Sequence, residues 1–263
     1  MSPAIHEGKV AFVTGSGRGL GREYALHLAR LGCDVVVHDI DDAAPSRFGE
    51  AESLEQTVEE IRAMGRRAMA VTADVTQFDQ IREAMQKVAR TWGRIDYCIN
   101  NAGGDIGKRT PRPDPNDGVS IQTEDVEWVI AINLTGTIHS CRAVAPIMME
   151  QGFGRIVNVS SSAAFAPVDV GLVYAAAKAG IVHYTRSLAR QLKKYNITVN
   201  AIAPGPTVGG RFLATRHVPK ELLERTSGLD RLGRPLDQAK VIEFLISPLA
   251  DYVSGQTIVV DGG

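Results

Sequence analysis

Short runs rich in Val and Ile recur along this chain, separated by longer stretches of helical period. That alternation constrains the fold more than any other feature, because strands joined through helices lie parallel in one sheet as βαβ units. The pattern predicts strands over Val10–Thr14, Asp34–Asp39, Ala68–Ala73, Tyr97–Asn101, Arg155–Ser160, Thr198–Ala203 and Thr257–Val260. Helices are predicted over Arg22–Leu31, Glu52–Met64, Gln77–Trp92, Glu124–Gln151, Val173–Lys194 and Asp237–Ser247, several with apolar residues at i, i+3 and i+4. Right-handed crossovers put helices on both faces, so the expected class is α/β: a doubly wound, parallel, seven-stranded sheet with its ligand crevice at the carboxyl ends of the strands. No repeat or linker divides the 263 residues, which suit a single domain. The segments Ile40–Glu50, Gly104–Gln122 and Pro206–Leu232 fit neither period; stretches of that length are either solvated insertions or lids and binding loops.

Composition removes several function classes. With 29 basic and 30 acidic side chains the net charge is -1, which provides no long-range field for gathering nucleic acid. Apolar stretches such as Val10–Val13 and Val35–Val37 fall far short of the roughly 18 residues that cross a bilayer. Met1–Lys9 lacks the hydrophobic region of a signal peptide, so a cytoplasmic location is expected. Cys33, Cys98 and Cys141 are odd in number and widely spaced, as small buried hydrophobes would be. The six histidines show neither an HExxH motif nor i, i+4 pairing, so no metal site is expected.

The first predicted strand runs into Thr14-Gly15-Ser16-Gly17-Arg18-Gly19-Leu20-Gly21, with helix-forming residues immediately after. Glycines there allow a sharp turn and a close backbone approach to a pyrophosphate, which the helix N-terminus would hold with free N–H groups. Glycines also make ordinary tight turns; the strand and helix on either side are what point to a dinucleotide. The second strand ends at Asp39, roughly twenty residues on, where a carboxylate can accept from both adenosine ribose hydroxyls and repel a 2′-phosphate. Arg18 argues the other way, since a guanidinium could pair with that phosphate. An exposed arginine can swing into solvent whereas close like-charge repulsion is hard to offset, so NAD is expected over NADP.

Tyr174 and Lys178 stand at i and i+4 on one predicted helix and share a face. A phenol titrates near pH 10, and a fixed ammonium beside it favours the phenolate, which makes a general acid or base. The same spacing also arises from an aromatic at a helix boundary with a solvated lysine.

These features do not stand alone. In order, the chain carries the glycine turn of Thr14–Gly21, Asp74-Val75, Asn100-Asn101-Ala102-Gly103, Asn133, Ser160-Ser161-Ser162, Tyr174 with Lys178, Pro204-Gly205, and Val260-Asp261-Gly262-Gly263. Over nearly its whole length the chain thereby resembles the classical short-chain dehydrogenase/reductase family, whose fold is of the Rossmann type. The resemblance implies that Tyr174 exchanges a proton with the substrate oxygen, that Ser161, thirteen positions earlier, donates a hydrogen bond to it, and that Lys178 holds the nicotinamide ribose and lowers the tyrosine pKa. It implies that Asn133 positions a water continuing the proton relay; an amide bonded to backbone inside its helix is the alternative. Cofactor contacts are expected from Gly15, Arg18, Gly19, Leu20, Gly21, Asp39, Ile40, Asp74, Val75, Asn101, Ala102, Gly103, Tyr174, Lys178, Pro204, Gly205 and Thr207. After Pro204-Gly205 the family often has Ile or Val and then Thr two residues later; here Thr207 and Gly209 stand there, which leaves a carboxamide contact through Thr207 backbone and removes the later threonine.

The implied activity is interconversion of a secondary alcohol and a ketone with NAD, by a homotetramer in which Glu124–Gln151 and Val173–Lys194 pair between subunits. Other activities fit parts of the same pattern. A 3-oxoacyl carrier-protein reductase usually goes with NADPH and a basic docking surface, which Asp39 and the neutral balance disfavour; a noncatalytic NAD-sensing protein has no need of Ser161 and Tyr174. Substrate choice is expected from Gly104–Gln122, Ala163–Val173 and Pro206–Leu232. The basic groups among them, Lys108, Arg109, Arg112, Arg211, Arg216 and His217, are either solvated loop charges or contacts for a polyol, sugar or sugar acid.

Overall fold

The structure, a computed structural model, describes residues 5–105, 118–215 and 217–263. Seven strands form one sheet: β1 (Val10–Thr14), β2 (Asp34–Asp39), β3 (Ala68–Thr72), β4 (Tyr97–Asn100), β5 (Gly154–Val159), β6 (Ile197–Pro204) and β7 (Thr257–Val260). Their order is β3-β2-β1-β4-β5-β6-β7, and every neighbouring pair is parallel. The predicted class is therefore the observed one. Every residue of β1, β2, β5 and β6 is buried, because helices cover both faces; such strands read as nearly continuous apolar runs.

The helices are α1 (Gly19–Arg30), α2 (Leu54–Ala63), α3 (Phe78–Trp92), α4 (Thr123–Ile130), α5 (Gly136–Gln151), α6 (Leu172–Leu192), α7 (Gly210–Thr215), α8 (Lys220–Glu224) and α9 (Pro235–Ile246). One face of the sheet packs against Tyr24 and Leu28 of α1, Val58 and Ile61 of α2, and Ile242 and Leu245 of α9. The other packs against Ile81, Met85 and Val88 of α3, Val144 and Met148 of α5, and Leu188 and Leu192 of α6. Ile81, Met85 and Val88 recur at one helical period along α3, and burying each such side chain contributes about 1.5–3 kcal/mol. Cys33, Cys98 and Cys141 are buried and free, as expected.

Three differences from the sequence expectation bear on the site. Helix α1 starts at Gly19 rather than Arg22, so Gly19 and Gly21 lie in its first turn, where glycine weakens a helix less than in its interior. The single helix expected over Glu124–Gln151 is interrupted by a π-helical turn, Ala131–Thr135. There the Asn133 amide donates to the carbonyl of Val129, four residues back, and competes with the helical ladder. The unassigned segments Ile40–Glu50 and Pro206–Leu232 contain a 3-10 helix over Ala44–Phe48 and the short helices α7 and α8. Most of Gly104–Gln122, with Lys108, Arg109 and Arg112, lies outside the described residues, as does Arg216.

The chain moves outward from β1 to β3, returns to β4 beside β1, and then runs the other way to β7. Between β1 and β4 the strand order reverses, and loops leaving the two carboxyl ends diverge to open a crevice. Among the described residues no helix is long and apolar enough to cross a membrane.

Candidate active site

The crevice is a cleft of about 440 Å³ that brings together the glycine turn, the ends of β2, β4, β5 and β6, and α6. Gly15 takes φ +63°, and a Cβ there would stand 2.9 Å from Ala102 Cα. A Cβ on Gly21 would fall 2.1 Å from the Gly15 carbonyl oxygen. Only glycines let the turn lie this close to the end of β4. The two loops are also stitched together: Thr14 Oγ1 accepts from the N–H groups of Asn101 and Ala102 at 3.0 Å. The Asn101 side chain donates back to the carbonyls of Thr14 at 3.2 Å and Gly15 at 3.0 Å. Asn101 thus holds the shape of the turn.

Helix α1 has no side-chain cap at Arg18 and no acid in its first turn, which leaves its N-terminal donors to an anion from elsewhere. Asp39, at the end of β2, is 8% exposed and accepts from the Ile40 N–H at 2.9 Å and the Gly17 N–H at 3.3 Å. Burial pushes its carboxyl up, opposed by those N–H donors and by Arg18. Arg18 is half-buried and lines the same cleft rather than standing free in solvent as the sequence reading had it. Next to Asp39, His38 is buried, pushed down to about 4, and accepts from the Gly15 N–H at 3.4 Å through Nδ1. Asp74 and Val75 border the cleft beyond β3. Asp74 Oδ1 accepts at 2.8 Å from both the N–H and the hydroxyl of Thr76, which fixes its orientation.

Ser161, Tyr174 and Lys178 line this same cleft. Ser161 follows β5, and its Oγ accepts from the Ala163 N–H at 3.2 Å, a bond that does not use the hydroxyl proton. Its neighbour Ser160 is buried and donates to the Lys178 carbonyl at 2.8 Å, tying β5 to α6. Tyr174 sits in the first turn of α6. Lys178 Nζ lies 5.5 Å from the Tyr174 ring centroid and donates to the Val159 carbonyl at 2.8 Å. Lys178 is 3% exposed. Burial, reinforced by the Arg211 guanidinium, pushes its ammonium down to about 7. The permanent ammonium expected from sequence is therefore only part-charged near neutral pH in the free protein.

Asn133 is fully buried, and its side chain is committed to backbone. It accepts from the Gly104 N–H at 2.9 Å and donates to the carbonyls of Gly104 at 2.9 Å and Val129 at 2.8 Å. That geometry matches the backbone-bonded alternative and fixes the loop after β4. Pro204, Gly205 and Thr207 line the cleft beyond β6. Thr207 donates to the Gly205 carbonyl at 2.9 Å and accepts from Gln238 at 3.2 Å, which commits its hydroxyl to the protein.

Sequence reasoning missed His38, Glu50, Trp128 and Ile132, all in the cleft lining, while Val170, also there, belongs to the Ala163–Val173 segment expected to choose the substrate. Trp128 and Ile132 had a readable signal, since they share a helix face at i and i+4 just before Asn133. His38 and Glu50 had none, because their positions depend on contacts with distant segments. Among the described residues no group of three potential metal ligands converges.

The short chain dehydrogenase family model matches residues 9–217. Cyclohexanol dehydrogenase of Rhodococcus sp. (strain TK6) is 45% identical, over 97% of this chain and 96% of the relative. A 3-oxoacyl-[acyl-carrier-protein] reductase of Staphylococcus epidermidis is 35% identical, over 97% of this chain and 98% of its own. Among solved structures, 7α-hydroxysteroid dehydrogenase complexed with NADH and 7-oxo glycochenodeoxycholic acid is similar, with a TM-score of 0.84 and 32% identity over 98% of this chain and 94% of that one. With the glycine turn, Asp74-Val75, Asn101-Ala102-Gly103, Ser161, Tyr174, Lys178 and Pro204-Gly205 lining one cleft, Gly21, Asn133 and 260–263 lying outside that lining, and these relatives matched along almost its full length, the chain belongs to the short-chain dehydrogenase/reductase family of oxidoreductases.

Proposed function

We propose that this protein is an NAD-dependent alcohol dehydrogenase that interconverts a hydrophobic, alicyclic secondary alcohol and its ketone. The observation that carries the reading is one cleft lined at once by the glycine turn, Asp39, Ser161, Tyr174 and Lys178. The residues fit a dinucleotide: close-packed Gly15 and Gly21, an α1 N-terminus without a cap of its own, and a buried carboxylate at the end of β2. Asp39 would accept from the adenosine ribose hydroxyls and disfavour a 2′-phosphate, which supports NAD over NADP even with Arg18 nearby. Gly15, Gly19, Leu20 and Gly21 would hold the diphosphate, Ile40, Asp74 and Val75 would border the adenine, and Asn101, Ala102, Gly103, Pro204, Gly205 and Thr207 would line the remaining length.

When bound, the nicotinamide supplies or accepts the hydride. Tyr174 takes up or returns the proton at the substrate oxygen, and the Ser161 hydroxyl donates to that oxygen as charge develops on it. Lys178, in its protonated form, favours the Tyr174 phenolate and would hold the ribose beside it. Asn133 acts as a positioning residue by fixing Gly104.

The cleft lining that holds Ser161 and Tyr174 also includes Trp128, Ile132, Val170 and Phe212, which suit an apolar ring. The relative that acts on cyclohexanol supports the same class. A polyol, sugar or sugar acid is the second reading, favoured by Asp105 and Arg211 in the lining. We also propose a homotetramer in which α5 and α6 pair between subunits, tested by light scattering after gel filtration. Absorbance assays with NAD and NADP on cyclohexanol, sterol alcohols, polyols and sugar acids test the whole reading. The expected result is fastest NAD reduction with cyclic alcohols. Faster turnover of polyols selects the second reading, NADPH-linked reduction of 3-oxoacyl thioesters selects the reductase rival, and NADH binding without turnover of any alcohol or carbonyl selects a sensing role.

A further inference from the structure

Helix α1 leaves its N-terminal donors uncapped by its own residues, yet the cleft already holds an anion there. The 3-10 helix Ala44–Phe48 delivers Glu50 to the cleft. One oxygen of its carboxylate accepts from the Gly19 N–H, the first residue of α1. The other accepts from the Gly210 N–H, the first residue of α7. The fit is close on the α7 side: a Cβ on Gly210 would stand 2.6 Å from Glu50 Oε1 and 3.0 Å from Cδ. Helix α7 is clasped to the opposite wall as well, because Arg211 donates to the Gly103 carbonyl at 2.9 Å. Glu50 and Arg211 together tie α7 into the lining of the cleft.

We propose that Glu50 is a built-in competitor of the cofactor: its carboxylate takes the diphosphate position at the α1 N-terminus, and dinucleotide binding displaces it and releases α7 from that tether. The inference rests on the cofactor reading above. A carboxylate and a diphosphate both satisfy the same N–H donors and the same helix dipole, and the like charges exclude each other. Bound nucleotide and docked Glu50 are therefore alternatives, and the docked form lowers the apparent affinity by the fraction of molecules it occupies. If Glu50 is docked about nine-tenths of the time, apparent affinity falls about tenfold.

The test is fluorescence or calorimetric titration of the wild type, Glu50→Ala and Glu50→Gln with NADH, ADP and adenosine. Glutamine keeps the length of the side chain but turns an N–H₂ donor toward one of the two N–H donors, so it also releases the plug. Expected is an affinity about tenfold tighter for NADH and ADP in Glu50→Ala, a gain in the same direction in Glu50→Gln, and no change for adenosine, which has no phosphate. A gain in affinity does not arise from misfolding, and Glu50→Gln carries the test should the alanine variant fold poorly. NADH and ADP affinities that stay unchanged or weaken in both variants overturn the proposal, as does an equal gain for adenosine. If the wild type fails to bind NADH at all, the cofactor reading fails, and the ADP titration still decides whether Glu50 competes for the cradle.

Discussion

Lys178 makes stability itself a readout of the site. Its folded pKa is lowered to about 7, by burial first and by Arg211 second, while a lysine in the unfolded chain titrates near 10.4. Below about pH 7 both states hold the proton, and the folded state carries the full penalty of a buried ammonium. Between about pH 7 and 10.4 the unfolded chain binds more protons, so the contribution of this group to stability rises with pH, by up to about 1.4 kcal/mol per unit. From pH 7 to pH 9 the gain amounts to about 2 kcal/mol, because the folded lysine is already half deprotonated at the start. Replacing Lys178 by Met removes the titrating group and keeps most of its volume. The measurement is urea unfolding of wild type and Lys178→Met at pH 6, 7, 8 and 9, taking the difference between proteins at each pH. Subtraction is needed because burial raises the thiols of Cys33, Cys98 and Cys141. Those groups weaken the fold toward alkaline pH in both proteins alike. Expected is a wild-type stability that climbs relative to the variant by about 2 kcal/mol from pH 7 to pH 9, with a flat difference below pH 6.5. A difference that is flat across the whole range refutes the buried, part-charged lysine.

Asp39→Asn keeps the shape of the β2 terminus but removes the charge, so NADH should bind about tenfold more weakly and NADPH more tightly, since a charge-assisted bond exceeds a neutral one by about 1.4 kcal/mol. Paired titrations with the two dinucleotides check this, and an unchanged preference would count against Asp39 as the selector. Tyr174→Phe should bind NADH as the wild type does while turnover drops by a factor of about 10² to 10⁴, the usual contribution of a placed general acid or base. Near-normal turnover would assign the proton transfer to another group. Asn133→Ala removes three hydrogen bonds to backbone and should destabilise the fold by about 2–3 kcal/mol, leaving buried groups of Gly104 and Val129 unpaired. Thermal unfolding measures that cost, and a variant as stable as the wild type contradicts the positioning role.

The sheet was legible because its signals are local. Strands buried on both faces read as unbroken apolar runs, and α3 shows its period directly in Ile81, Met85 and Val88. Candidate site positions were legible for a related reason: topology puts ligands beyond the strand ends, and Ser161, Asn101 and Gly205 follow strands while Tyr174 and Lys178 share one turn-to-turn face. Helices α7 and α8 were not, since six and five residues are too few to display a helical period. The π turn was not, because the Asn133 side chain that competes there with the helical ladder is held in place by Gly104, 29 positions away.

What escaped the sequence has a common cause, and it bears on how the protein selects its ligands. The charge state of Lys178 is set by burial and by Arg211, which approaches from another element. Glu50 meets Gly210 across 160 positions, and Arg211 meets Gly103 across 108. Residues recognisable by motif are those whose task is fixed by their place on one strand or helix, and the shared chemistry depends on them. Segment 44–50 and α7 carry no such pattern, yet Glu50 meets the α1 N-terminus and Arg211 acts on the charge of Lys178. On the proposed reading, a substitution there would alter when the cofactor enters and how Lys178 is charged without touching any residue of the motif set. Exchanging 44–50 or 210–215 between relatives should therefore move affinity and pH dependence while leaving the reaction itself intact.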